Sequence, residues 1–174
     1  MMWCKNGSLR IKPNGSGYTL VELLAVLAII SLIFVLAWPA YRGVAEKLAL
    51  RQDAAVLARE LRLARQTAIT MGEECCVIFI ASSAAKPSTT YQIRRGGKIR
   101  IVRLTRGVTI AGSSFARDPV YPSQYDRTAC RFVPSGAPTG GGTVHLKNSG
   151  EESLYVAVTP ATARVRVTAE DPRN

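Results

Sequence analysis

The sequence Gly17-Tyr18-Thr19-Leu20-Val21-Glu22 is followed by an apolar run, Leu23–Ala40, that contains no charged residue and a single hydroxyl, that of Ser31. A run of about 18 apolar residues is long enough to cross a bilayer as a helix. A carboxylate beside such a run is costly to leave unpaired in lipid, so Glu22 is predicted to have a function. The alternative is an ordinary signal peptide or anchor in which the glutamate is incidental.

Residues 1–17 are polar and basic, and their cations lie on the side expected to stay cytoplasmic. In a secretory signal peptide the apolar core precedes the cleavage site. Residues 1–17 lack that order, because the apolar run follows them, so we expect the run to be retained as an anchor. We therefore expect a single-pass protein of the cytoplasmic membrane, with its carboxy-terminal part outside the cytoplasm.

The chain of 174 residues is strongly basic, with a formal net charge of +11. Residues 1–17, the expected leader, include the cations Lys5, Arg10 and Lys12 and no acid. Their removal would leave a net charge of +8. A basic surface of this size favours acidic partners such as nucleic acid or anionic lipid. Simple solubility is the competing explanation.

The periodicity predicts one long helix, Tyr18–Met71, in two halves. The first half is apolar on all sides, and Pro39 and Gly43 predict a bend or local loosening. The second half is amphipathic, because its apolar residues recur at spacings of three and four. We expect a leader at 1–17, a transmembrane segment at 18–41, an amphipathic continuation at 42–72 and a β-rich head at 73–174.

After residue 74 the pattern becomes strand-like. Gly96-Gly97 lies between two such runs and indicates a tight hairpin. The segment Gly112–Ala129 holds two prolines and few apolar residues, which predicts a long surface loop. The fold class is therefore α+β, with the second half of the helix packed on an antiparallel sheet. The predicted strands are Cys75–Ile80, Tyr91–Arg95, Lys98–Leu104, Val108–Ala111, Cys130–Val133, Thr143–Lys147, Leu154–Thr159 and Arg164–Thr168.

Three cysteines would remain after processing: Cys75, Cys76 and Cys130. In an oxidising compartment, one of the adjacent pair could form a disulfide with Cys130. Burial of all three as small apolar side chains is the alternative. No metal site is predicted, because His145 is the sole histidine and no Cys-x-x-Cys spacing occurs.

The stretch around Gly17 and Glu22 resembles the amino terminus of type IV pilins and type II secretion pseudopilins. Tyr18 stands where that family usually has phenylalanine, and Pro39 falls where many pilins have a proline. The resemblance implies the type IV pilin-like fold, cleavage after Gly17 by a prepilin peptidase and methylation of the Tyr18 amine. It also implies assembly with other pilin or pseudopilin subunits, in which Glu22 meets the amino terminus of a neighbouring subunit.

The head resembles the minor pseudopilin H branch, which includes FimT-like minor pilins. The residues that carry this resemblance are Phe132-Val133-Pro134-Ser135-Gly136, Gly141-Gly142-Thr143-Val144 and Ala163-Arg164-Val165-Arg166-Val167. FimT-like pilins that take up DNA have a Gly-Arg-x-Arg motif in the last strand. Here Ala163 replaces the glycine, and both arginines are present.

Cations crowd the predicted hairpin as well as the last strand. Cation clusters bind phosphate, and arginine can do so bidentately. We therefore predict non-specific DNA binding, with a solvated edge strand as the alternative. The candidate DNA-binding residues are Arg164 and Arg166, helped by Arg94, Arg95, Lys98, Arg100 and Arg103.

Catalysis is not predicted. The sequence has no Gly-x-Ser-x-Gly elbow or phosphate-binding loop, and Gly136–Gly142 lacks the lysine and hydroxyl of a nucleotide loop. No cofactor is predicted either. The expected function is that of a minor pilin or pseudopilin, and a pilus-borne DNA receptor is the second possibility. A membrane-anchored protein that never polymerises is the third.

Overall fold

The computed structural model describes residues 19–80, 87–118 and 127–172. These residues form one helix, α1 (Leu20–Met71), and eight strands in two antiparallel sheets. Sheet A has the order β3-β2-β1-β5 and sheet B the order β4-β6-β7-β8. The strands are β1 (Cys75–Ile80), β2 (Thr90–Arg95), β3 (Lys98–Arg103), β4 (Val108–Ser113), β5 (Arg127–Phe132), β6 (Gly142–Asn148), β7 (Ser153–Val158) and β8 (Val165–Thr168).

The chain divides into two compact units, Met1–Ala40 and Tyr41–Asn174. In the described part of the first unit every residue is exposed. In the second unit, the remainder of α1 buries one face in the core that it shares with both sheets. Small and branched residues alternate along this face, so the helix can approach the sheets closely. The buried apolar residues of α1 are Leu50, Ala54, Leu57, Ala58, Leu61, Ala64 and Ala68.

Local sequence explains both the end of α1 and the first hairpin. Gly72 has a φ of 67°, and its N–H donates to the Ala68 carbonyl at 3.1 Å. A glycine just beyond the last helical residue accepts this left-handed conformation without a side-chain clash. Between β2 and β3, Gly96 and Gly97 have φ values of 48° and 79°. Two positive φ angles match the turn that joins right-handed twisted strands.

The α+β architecture predicted from the sequence is confirmed, with two antiparallel sheets in place of one. The prediction of a surface loop over Gly112–Ala129 is wrong at both ends. Gly112 lies in β4, and residues 127–129 lie in β5. Between them Phe115 is buried and stacks on Phe79 with ring centroids 5.6 Å apart, because its apolar ring completes the core. Residues 119–126 lie outside the described residues.

Candidate functional site

The amino end of α1 is capped by a threonine. The Thr19 hydroxyl accepts a hydrogen bond from the Glu22 N–H at 3.3 Å, and the Thr19 carbonyl accepts one from the Leu23 N–H at 3.1 Å. A threonine followed three residues later by a glutamate is a sequence pattern of helix starts. The negative charge of Glu22 also faces the positive end of the helix dipole. Glu22 is exposed in the first turn of a well-defined helix, whereas Gly17 and Tyr18 lie outside the described residues.

The first half of α1 is an exposed apolar surface. Large apolar side chains are exposed on all faces of this half, among them Leu20 at 76% and Leu36 at 72% exposure. Length and composition are sufficient for this helix to cross a membrane. The helix continues without interruption through Pro39 and Gly43, although the proline has no N–H to donate to the carbonyl of Val35.

The predicted cationic hairpin does not present one common surface. Arg94 is directed at the buried Asp118, with N–O distances of 3.4 Å, and its Nη2 lies 3.5 Å from the Cys76 sulfur. On α1, Glu60 lies 2.6 Å from Arg100 and 3.7 Å from Arg95. Three of the hairpin arginines are thus compensated by acids. Lys98, Arg103 and Arg106 are exposed and have no ion pair within the described part of the chain.

A second set of arginines surrounds one cleft of about 570 Å³ between α1 and the segment that leads into β8. Arg62 and Arg65 come from α1, and Arg164 and Arg166 come from the final strand region. Thr162, Ala163 and Val165 complete the lining. No acidic side chain belongs to this set. Sequence reasoning predicted the last two arginines and missed the first two, although a spacing of three already placed Arg62 and Arg65 on one helix face.

The helix arginines bind backbone rather than acids. Arg62 Nη2 donates to the Val165 carbonyl at 3.1 Å, and Arg65 Nε donates to the Gly136 carbonyl at 3.1 Å. Val165 lies between Arg164 and Arg166, so the first bond fixes the backbone at the start of β8, next to both arginines. Neither Arg164 nor Arg166 is ion-paired in the part of the chain that the structure describes. The cleft therefore holds uncompensated positive charge.

Ala163 adopts a conformation that normally belongs to glycine. Its φ is 54°, and its side chain is buried. The left-handed conformation costs an L residue about 1–2 kcal/mol. The Ala163 N–H and the Arg164 carbonyl both bond to Thr159, at 2.9 and 3.0 Å, and these bonds hold the turn. The loop geometry that a glycine would favour is thus kept with alanine.

Cys75, Cys76 and Cys130, the cysteines considered for a disulfide, are free and buried in this structure. Cys76 packs with Ile78 and Ala129 on one face of sheet A, whereas Cys75 and Cys130 belong to the core on the other. Cys130 is opposite Val77, two residues out of register with Cys75. Residues diagonal to one another across two antiparallel strands are about 7–8 Å apart, whereas the Cβ atoms of a disulfide are about 4 Å apart. Burial raises the pKa of Cys130 to about 12.

Two models of known protein families match parts of this chain. Residues 53–163, more than half of the chain, match the family of type II transport protein GspH. Residues 12–38 match the prokaryotic N-terminal methylation motif. No curated protein sequence matches the chain significantly.

Two solved structures are similar. The Pseudomonas aeruginosa type IV minor pilin FimU is 15% identical with a TM-score of 0.50, over 71% of this chain and 90% of FimU. The minor pseudopilin EpsH of the Vibrio cholerae type 2 secretion system is 13% identical with a TM-score of 0.48, over 68% of this chain and 95% of EpsH. The likeness to FimU shows the shared fold, and the family match covers the head and the second half of α1. The chain therefore belongs to the GspH family of minor pilins and pseudopilins.

Proposed function

We propose that this chain is a minor subunit of a type IV pilus or type II secretion filament. It would enter the filament after a prepilin peptidase cuts behind Gly17 and the Tyr18 amine is methylated. The observation that carries the proposal is an exposed, wholly apolar half-helix with Glu22 in its first turn, attached to a folded head of the GspH family. The prokaryotic N-terminal methylation motif at 12–38 supports the same processing.

The physical reason is the need to bury this half-helix. Exposed Leu, Ile, Val and Phe side chains are unfavourable in water, so lipid or other helices must cover them. A bilayer covers them before assembly, and neighbouring subunits cover them in a filament. In either apolar environment the Glu22 carboxylate needs a partner or a proton. The free amine that cleavage creates at Tyr18 of an adjacent subunit would supply that partner, and their attraction would set the register between subunits.

Replacing Glu22 tests this proposal. We expect Glu22→Ala and Glu22→Gln to leave the subunit folded in the membrane while its amount in sheared filaments falls at least tenfold. The matched control is Glu46→Gln, a change of the same charge at a half-buried position of α1. Mass spectrometry of the mature amino terminus reports cleavage and methylation separately. Normal incorporation of both Glu22 variants, or recovery of the chain with residues 1–17 attached in filaments, contradicts the proposal.

The four-arginine cleft favours a second function, non-specific DNA binding for uptake. Phosphate groups are attracted to uncompensated guanidinium groups, and each contact releases counterions, so affinity should fall steeply with salt. Arg164 and Arg166 would contact phosphate. Arg62 and Arg65 would hold the backbone on either side of the cleft through the carbonyls of Val165 and Gly136.

The test measures DNA binding by the full chain in detergent at several salt concentrations. We expect the Arg164→Gln/Arg166→Gln variant to lose at least tenfold in affinity and to have a shallower salt dependence. The Arg103→Gln/Arg106→Gln variant removes equal charge beside the other sheet and should have the smaller effect. Absence of binding at low salt, or equal losses in both variants, contradicts a role for the cleft.

A further inference from the structure

The outer face of sheet B carries aromatic and cationic side chains. Along β6 and β7 the residues Val144, Leu146, Val156 and Val158 are buried in the core. Because alternate residues of a strand face opposite sides, the residues between them point outward. The outward side chains are His145 and Lys147 of β6, Tyr155 and Ala157 of β7 and Arg166 of β8.

Two of these side chains form an ordered aromatic pair. His145 and Tyr155 are register partners on adjacent strands, and their rings stack at 4.6 Å with an interplanar angle of 12°. Ser153 Oγ lies 2.8 Å from His145 Nε2 and holds the imidazole in this orientation. Both rings are partly exposed. A flat, preoriented aromatic surface on a strand is the kind of platform on which nucleobases stack.

Space is available on the β4 side of this pair. The register partner of His145 on β4 is Gly112, which has no side chain to cover the imidazole. Among the described residues, a Cβ placed on Gly112 would meet no heavy atom within 4 Å. Gly112 also has no positive φ, so backbone conformation does not require a glycine there. A slot with a glycine floor and an aromatic wall therefore opens at the edge of the sheet.

Cations stand on the other side of the pair. Arg166 is opposite Ala157, whose small side chain leaves it uncovered, and Ala157 follows Tyr155 by two residues on the same strand face. Arg164 extends the cationic line into the four-arginine cleft. On β6, Lys147 is paired with Glu151 at 2.9 Å and is already compensated. The face therefore combines an aromatic slot with uncompensated guanidinium groups along one line.

We propose that the outer face of sheet B binds single-stranded nucleic acid, with an unpaired base stacked against the His145–Tyr155 pair over Gly112. Arg166 and Arg164 hold the phosphates that follow that base. This inference rests on the DNA-binding role proposed above and specifies its substrate class, because a base inside a duplex is already stacked and cannot enter the slot. The preference would be for single strands with little regard to sequence, since every base has a stacking face.

The experiment compares three polyanions with the full chain in detergent at one fixed salt concentration. They are a fluorescent single strand of about 20 nucleotides, a duplex of the same length and inorganic polyphosphate, which has charge but no bases. Gly112→Leu fills the slot, and Tyr155→Leu removes the ring that stacks on the far side of His145 while keeping apolar bulk. Gly140→Leu is the matched control, because a Cβ there also meets no heavy atom within 4 Å. Circular dichroism verifies that each variant is folded.

We expect wild type to bind the single strand more tightly than the duplex. Gly112→Leu and Tyr155→Leu should each lose about tenfold for the single strand alone, a typical loss when one stacking partner is removed. Gly140→Leu should bind like wild type. Equal affinity for single strand and duplex, with slot variants that bind like wild type, overturns the stacking site. If Arg164→Gln/Arg166→Gln still weakens binding in that case, the electrostatic role of the cleft survives. If wild type binds none of the three polyanions, both proposals fail.

Discussion

Asp53 is the buried carboxylate that ties the connection between the two sheets to α1. Its side chain is 8% exposed. Oδ2 accepts a hydrogen bond from the Thr105 N–H at 2.7 Å, and Oδ1 accepts one from the Thr105 hydroxyl at 2.9 Å. Thr105 lies between β3 of sheet A and β4 of sheet B. Removal of the carboxylate should therefore release the chain at the point where it passes from one sheet to the other.

The expected cost follows from these two bonds. A hydrogen bond to a charged group contributes about 1.5–3 kcal/mol. Because Thr105 is exposed, water can replace part of what its N–H loses, and we expect Asp53→Ala to cost about 2–3 kcal/mol in the free energy of unfolding. Asp53→Asn retains an acceptor oxygen and should cost about 1 kcal/mol. Thr105→Val removes the hydroxyl and keeps the N–H, so its cost should also be about 1 kcal/mol.

Urea unfolding of the full chain in detergent, followed by circular dichroism, measures these differences. A double-mutant cycle between Asp53→Ala and Thr105→Val isolates the shared bond, and neighbours that interact depart from additivity by at least about 0.5 kcal/mol. The reasoning is refuted if Asp53→Ala unfolds within about 0.5 kcal/mol of wild type. Strict additivity of the two substitutions would refute it as well.

Further predictions concern the core and its turns. The Tyr91 hydroxyl is buried without a hydrogen-bond partner among the described residues, so Tyr91→Phe should raise the free energy of unfolding by about 1 kcal/mol, and a destabilised variant in urea would contradict this. Burial raises the pKa of Tyr91 and of Cys130 to about 12, from 10.0 and 9.0. The folded chain thus keeps protons that the unfolded chain releases, and stability should be complete below about pH 9 and fall towards pH 12. A urea midpoint that stays constant across that interval would exclude this linkage. Gly136→Ala should cost at least about 2 kcal/mol, because φ is +79° and the new Cβ would lie 2.6 Å from Ile69 Cδ1, and an unchanged melting temperature would disprove the clash. Ala163→Gly should change stability by less than about 1 kcal/mol, since relief of the left-handed strain is offset by a lost buried methyl and added chain entropy, and a larger loss in the same urea assay would count against that balance.

Part of the candidate site could be predicted from the sequence because its signals are local. Glu22 and the apolar run are adjacent in the chain, and together they predict both a membrane segment and an assembly contact. Arg164 and Arg166 are two residues apart in a predicted strand, so the sequence places their side chains on one face, although β8 itself begins at Val165. Their partners Arg62 and Arg65 could not be predicted, because the Arg62–Val165 bond joins residues 103 positions apart.

In the β2–β3 hairpin, by contrast, the local sequence pattern overestimates the cationic surface. Its arginines are close together in sequence, and the prediction treated them as one cationic surface. The charges of Arg94, Arg95 and Arg100 are instead compensated, by Asp118 in a segment predicted to be a surface loop and by Glu60 on α1. Strand alternation predicts which face of the sheet a side chain lies on, but it does not predict which acidic residue packs against that face. That depends on which elements pack there.

The long helix, the hairpin turn and the positions of most strands follow from the sequence, because each depends on neighbouring residues and their period, and the family follows from the resemblance of short motifs. Only packing decides which cations remain uncompensated, that Cys130 shares the core with Cys75 and not with Cys76, and that His145 stacks on Tyr155 beside Gly112. The physical reason is that charge compensation, burial and ring stacking are properties of surfaces brought together by packing, and residues far apart in the chain contribute to each of these surfaces.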